Sequence, residues 1–202
     1  MFNRTAACLT VLLAVSRVAS AGPPMICHPF DAGDAAVLPW GQGEGWNTPD
    51  RSYDVERLTA DTLRLLSPDA PVLARMENLR RATIYASKDP RIAAELRAAV
   101  LGKALIAAAE QPRDPLAWFD AGYLIESYRQ ARVVQRRPSP IAGPAEIDGF
   151  RLIEKALELA GSNPEMEYAA SLAKEGSAAT AHRQRAMAGA RPGSLLAKNL
   201  AR

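Results

Sequence analysis

Residues 26–41 read ICHPFDAGDAAVLPWG. Cys27 stands beside His28, with Asp31 and Asp34 close behind. A thiol activated by an imidazole base is a nucleophile, and a thiol, an imidazole and two carboxylates are all metal ligands. Both readings lack partners. Adjacent side chains generally point apart, so a base for Cys27 would have to come from elsewhere, and His182 is the other imidazole. Structural zinc prefers two well-spaced Cys/His pairs, and one such pair exists. Haem attachment needs C-x-x-C-H, which is missing. H-E-x-x-H and G-x-S-x-G are missing as well, so the zinc-hydrolase and serine-hydrolase templates do not apply. The plainer reading is a buried thiol and a hydrogen-bonded imidazole. No catalytic residue, metal ligand or cofactor is assigned. A metal- or cofactor-binding protein, or an enzyme built on the Cys27/His28 arm, stays as the alternative.

WGQGEGW (40–46) has the glycines of a phosphate loop without the preceding strand, the spacing or the lysine. It reads as a turn between two tryptophans that anchor it. Arg129, Arg132, Arg136 and Arg137 close a helical run, where the helix dipole favours cations. A solvated helix end explains them better than an anion-binding patch.

The chain must position these residues from an unusual start. MFNRTAACLTVLLAVSRVASAG opens with Arg4, continues through a short apolar stretch at 5–15, and ends in the small residues Ala19, Ser20 and Ala21. That is the pattern of a secretory signal, too short for a stable bilayer span. Residues 1–21 are expected to be cleaved, leaving an exported protein, periplasmic in a Gram-negative cell and otherwise extracellular. The full chain has net charge +3 from 25 basic and 22 acidic residues. Cleavage removes Arg4 and Arg17 and no acid, leaving +1. Nothing in that balance marks a nucleic-acid partner, and no later segment is apolar enough to span a membrane. Of the two cysteines, Cys8 leaves with the signal, so no internal disulfide forms. An odd cysteine in an oxidising compartment also allows a homodimer through Cys27, and with it a homo-oligomeric structural envelope protein.

Residues 22–50 hold Pro23, Pro24, Pro29, Pro39 and Pro49 with Gly33, Gly41, Gly43 and Gly45. Regular helix is disfavoured there. This predicts an irregular N-terminal arm that packs through Ile26, Phe30, Val37, Leu38, Trp40 and Trp46. From residue 51 to 202 the apolar residues recur at helical spacing, as in Val72, Met76, Leu79 and Thr83, or Phe150, Ile153 and Leu157. No run alternates with period two. Asp89-Pro90, Asp114-Pro115 and Asn163-Pro164 each supply a capping side chain followed by a proline that needs no amide partner. The spacing predicts helices near 52–66, 70–87, 90–109, 115–135, 145–160, 164–175, 178–189 and 194–201, with RRPSPIAGP (136–144) as a loop.

Two stretches, DPLAWFDAGYLIESYRQA (114–131) and KALELAGSNPEMEYAASLA (155–173), resemble parts of the tetratricopeptide repeat. Trp118 and Gly122 fall at the family's offsets in its first helix. Ala156, Leu157 and Leu159 lead through a short turn to Pro164. Ala121 stands where the family has leucine and Ile125 where it has tyrosine. Pro115 to Pro164 spans 49 residues, against a family period of about 34. The likeness covers roughly 115–190. It implies an all-α fold, a right-handed stack of antiparallel helical hairpins as in a tetratricopeptide-like α-solenoid. Neighbouring hairpins in such a stack bury their apolar stripes jointly. The arm also resembles the start of a group of exported bacterial proteins, a likeness that brings no activity with it.

In the resembled family the concave face of the first helices receives a protein or peptide partner. Carried onto this chain, that groove is Phe119, Tyr123, Glu126 and Ser127, with Tyr168 and with Arg75 and Asn78 beside them. Tyr128 would cover its edge. Trp118, Ala121, Gly122 and Ile125 form the adjacent face, which packs on the partner helix, with Gly122 allowing close approach. The function this implies is an exported, non-enzymatic helical-repeat protein that binds a protein or peptide partner in a groove. Export itself has a direct readout: the intact mass of protein secreted by a bacterial host should equal residues 22–202, and a mass retaining residues 1–21 would refute cleavage there.

Overall fold

The structure, a computed structural model, describes residues 24–110, 113–134 and 147–202. The signal-like segment and the RRPSPIAGP loop lie outside these residues. Among them all regular structure is helical and there is no strand. A single turn, α1 (Pro24–Cys27), opens the arm, which then runs without helix to residue 54. A 3-10 turn (Val55–Arg57) leads into α2 (Leu58–Leu65). It is followed by α3 (Val72–Ala86), α4 (Pro90–Glu110), α5 (Pro115–Val134), α6 (Gly149–Ala160), α7 (Pro164–Ala173), α8 (Gly176–Gly189) and α9 (Leu195–Leu200).

The Asx-Pro signals start helices as their chemistry requires. Asp89 accepts the Arg91 amide at 2.8 Å, Asp114 accepts that of Leu116 at 2.9 Å, and Asn163 accepts that of Met166 at 3.0 Å. The first helix is tighter and later than expected, because Asp54 takes the Glu56 amide at 3.1 Å and fixes the start at Val55. The helix expected from 145 begins at Gly149, capped by Asp148. Helix α3 has no cap from its own neighbours. The Glu165 carboxylate of α7 faces the amides of Val72 and Leu73, whose attraction opposes the burial that raises its pKa.

Helix α5 lies at the centre. It packs most extensively on α6 and also meets α1, α3, α4 and α7, while α7 pairs with α8. The α5–α6 contact rests on two glycines. A Cβ on Gly122 would sit 2.6 Å from the Gly149 carbonyl oxygen and 2.8 Å from the Ile153 amide. A Cβ on Gly149 would sit 2.7 Å from the Gly122 carbonyl. The two backbones touch, as the sequence position of Gly122 suggested. One core joins the arm to the helices, through Met25, Ile26, Phe30 and Leu38 on one side and residues such as Leu73, Met76, Phe119 and Ile153 on the other.

Gly122→Ala should therefore force α5 from α6, since backbone cannot retreat as a side-chain tip can. A loss of about 3 kcal/mol is expected, at the upper end of ordinary overpacking. Urea unfolding of Gly122→Ala beside the helical control Gly102→Ala, where an added Cβ meets open space, would measure it. Equal midpoints would refute the close crossing.

Candidate functional site

Helix α3 is the unusual element. Its apolar residues form the expected stripe, yet every residue except Arg81 is buried, the charged ones included. Arg75, Glu77, Asn78 and Arg80 have at most 1% of their surface exposed. Charges so placed must be paired and hydrogen-bonded. Glu77 is the hub. Arg80 grips it with two bonds of 2.8 Å, Nε to Oε2 and Nη2 to Oε1. Arg81 adds a third at 2.6 Å to Oε1. The fourth donor is not a side chain. It is the backbone amide of Phe30, at 2.9 Å to Oε2.

The neighbouring polar side chains are likewise spent on arm backbone. Arg80 Nη1 donates to the carbonyls of Ile26 at 3.2 Å and Trp46 at 3.0 Å. Arg81 donates to the carbonyl of Leu38. Asn78 accepts the Leu38 amide at 2.8 Å and donates to the Ala36 carbonyl at 3.2 Å. Tyr85 donates to the Pro39 carbonyl at 2.7 Å and accepts the Asp50 amide at 3.0 Å. Gln130 of α5 accepts the Met25 amide at 2.9 Å. Asn199 of α9 accepts the Asp31 amide and donates to its carbonyl, both at 2.9 Å. Five side chains of α3, with one from α5 and one from α9, thus read the main chain of an irregular peptide.

Side chains of the arm anchor it between these contacts. Trp40 packs its edge against Tyr85, with ring centroids 5.7 Å apart, and carries the guanidinium groups of Arg80 and Arg81 over its ring at 5.0 and 5.4 Å. Phe30 meets Tyr168 edge-on at 6.2 Å. Leu38, Met25 and Ile26 are fully buried.

The residues expected to line an open groove lie under this cover. Phe119, Tyr123 and Ser127 are fully buried, and Glu126 and Tyr168 are nearly so. Phe119 stacks on Tyr123 at 5.6 Å. Glu126 accepts the Phe150 amide at 3.1 Å and the Arg129 Nε at 2.6 Å, so it ties α6 to α5. Tyr128 donates to the Ala93 carbonyl at 3.1 Å. The physical reason is that α1, α3 and α7 all pack on α5 and leave this face no opening. Of the residues named beside that groove, Asn78 holds the arm, and Arg75 points elsewhere, to Asp120 at 2.6 Å. Glu77, Arg80, Arg81, Tyr85, Gln130 and Asn199 were not foreseen. The sequence signal for Glu77, Arg80 and Arg81 is the polar run ENLRR (77–81); Tyr85, Gln130 and Asn199 carry none.

Cys27 is a free, half-buried thiol. Burial raises its pKa against the opposing pull of Arg80, so little thiolate forms at neutral pH and the thiol is a poor nucleophile. His182 sits between Glu167 and Arg185, 2.6 Å and 2.7 Å from its Nδ1, with its ring edge-on to Phe150. Among the described residues no group of three or more Cys, His, Asp or Glu side chains could hold a metal ion, and no helix is long and apolar enough to cross a membrane. Burial pushes the Asp120 carboxyl up to about 6, against the charges of Arg75 and Lys103. The chain matches no protein-family model, and no curated protein or solved structure is significantly similar to it.

Two substitutions grade the cluster. Glu77→Gln leaves Arg80 with a neutral partner inside the protein and should cost about 3–5 kcal/mol, the range for breaking one side of a buried pair. Asn78→Ala removes two bonds to the arm and should cost about 1–3 kcal/mol. Urea unfolding followed by tryptophan fluorescence reads both, and a Glu77→Gln effect no larger than that of Asn78→Ala would contradict the hub role.

Proposed function

We propose that this is an exported, non-enzymatic helical protein that binds a protein or peptide partner as an extended segment, held through its backbone by the polar face of α3. One observation carries the reading. Buried Glu77, Asn78 and Arg80, with Arg81 and Tyr85, are arranged to satisfy amides and carbonyls of a peptide, and the chain's own arm occupies that position. Recognition of main-chain atoms with a few apolar anchors tolerates many sequences, which suits a surface for partners. Hairpin pairs α5–α6 and α7–α8 would give this face the rigid backing of a repeat stack, as the tetratricopeptide resemblance implies. A ligand entering in trans would take the arm's place and borrow the contacts of Phe30, Leu38 and Trp40.

The direct test uses the arm as its own probe. In the full chain, Phe30→Ala with Trp40→Ala removes two apolar anchors of the arm and alters no residue of α3. A fluorescent peptide of residues 24–41 should bind this variant saturably, and adding Asn78→Ala should weaken binding at least about tenfold, as expected for two lost hydrogen bonds. The unaltered chain, with its arm seated, should bind the peptide weakly. A loosened variant that keeps its helical circular dichroism yet takes up no peptide would overturn the proposal.

A further inference from the structure

At the opposite end of α3 from the arm's tryptophan, the turn after α2, the middle of α4 and the start of α5 line an open pocket of about 550 Å³. That is within the range of small-molecule sites. Its lining is mostly apolar, from Leu66, Pro68, Leu116 and Ala117, and it carries the cations Arg75, Lys103 and Arg113. Asp114 is the carboxylate in the lining, and its Oδ1 is already engaged by the Leu116 amide at 2.9 Å.

The three cations are not equivalent. Arg75 is fully committed inside the protein. Its Nε donates to the Ala70 carbonyl at 3.0 Å, one Nη to Asp120 Oδ2 at 2.6 Å, and the other to the Ser67 carbonyl. Its charge is balanced by Asp120, so it forms part of the wall and adds no contact for a ligand. Lys103 donates to the Leu66 carbonyl at 2.5 Å and stands 3.9 Å from Asp120 Oδ2, with 37% of its side chain exposed. An ammonium has three protons to give, so it keeps donors for a ligand. Arg113 is exposed and makes no hydrogen bond or ion pair with any described residue. Asp120 is wholly buried, and its Oδ1 has no hydrogen-bond partner. Its second oxygen holds Arg75 and attracts Lys103, which fixes the two cations at the inner wall. Two cations with spare donors beside an apolar concavity make a site for a molecule that is charged at one end and greasy at the other.

We propose that this cavity binds a small organic carboxylate, with its charged end between Lys103 and Arg113 and its apolar body against Leu66, Pro68 and Leu116. A free carboxylic acid and the C-terminus of a short apolar peptide share that chemistry. The site is separate from the arm and does not depend on the peptide reading of α3.

Calorimetric titration of the full chain with defined probes tests it. Hexanoate should bind saturably, hexanol at least about tenfold more weakly, and inorganic phosphate no better than hexanol. Lys103→Gln and Arg113→Gln alter partly exposed and exposed side chains and leave both residues of the Arg75–Asp120 pair in place, and unchanged helical circular dichroism checks that each variant is folded. Each should cost about tenfold in hexanoate affinity, the value of one charge-assisted hydrogen bond. Leu-Ala-Leu with a free C-terminus, compared with its amide, separates the sources: a free-acid peptide that outbinds hexanoate identifies a chain end, and the reverse order identifies a free acid. No saturable binding by either carboxylate would overturn the proposal. So would phosphate binding tighter than hexanoate, or both charge variants binding as the parent does.

Discussion

The Glu77–Arg80 pair, buried with Arg81 at its edge, is the constraint on which the rest depends. Two charges out of water are costly unless every remaining proton and lone pair is satisfied. Helix α3 cannot supply those partners itself, because its own backbone is already spent on the helix. The arm supplies them through the Phe30 amide and the carbonyls of Ile26, Leu38 and Trp46. Arm and helix therefore order each other. The arm has no internal ladder to hold its shape, and the helix has no dry partner for its charges without the arm.

That dependence explains the architecture around it. With the arm over its polar face, α3 is covered on all sides and becomes an interior helix. Its apolar side meets α5, and α5 in turn can take α6 at backbone distance through Gly122 and Gly149. Polar contacts between distant elements fasten the frame further. Glu165 of α7 faces the first amides of α3, and Asn199 of α9 pairs with both main-chain groups of Asp31. The last helix thus reaches back to the first segment of the described chain. At the far end of α3, Arg75 and Asp120 repeat the theme of a buried pair. There the balance is less complete, because Asp120 Oδ1 is unpartnered and the neighbouring cations face a cavity.

The arm is also the feature whose meaning changes most on folding. Cys27 and His28 drew attention as a nucleophile or metal pair, yet among the described residues no metal-holding cluster forms, and burial raises the Cys27 thiol. The chemistry of that stretch lies in its main chain. Sequence patterns report side chains, so a segment recognised by its amides and carbonyls leaves little trace in composition. Its prolines and glycines did reveal that it forms no long helix, and Phe30, Leu38 and Trp40 that it packs. Nothing in them names the surface beneath.

Local chemistry determined much of this protein in advance. Apolar spacing placed the helices, Asx-Pro pairs placed three of their starts, and Gly122 marked a close helix crossing, because each depends on residues within a turn or two of one another. The polar face of α3 followed a different rule. Glu77 and Arg80 lie off the apolar stripe of Val72, Met76 and Leu79, on the side of a helix that ordinarily meets water. Only the tertiary structure turned that side inward, since what decides between water and protein is the presence of a partner some fifty residues away that can satisfy every charge. The same holds for Phe119, Tyr123 and Tyr168. Their aromatic pattern on the helix was legible from sequence, but whether such a face lines a groove or fills a core depends on what the rest of the chain lays across it.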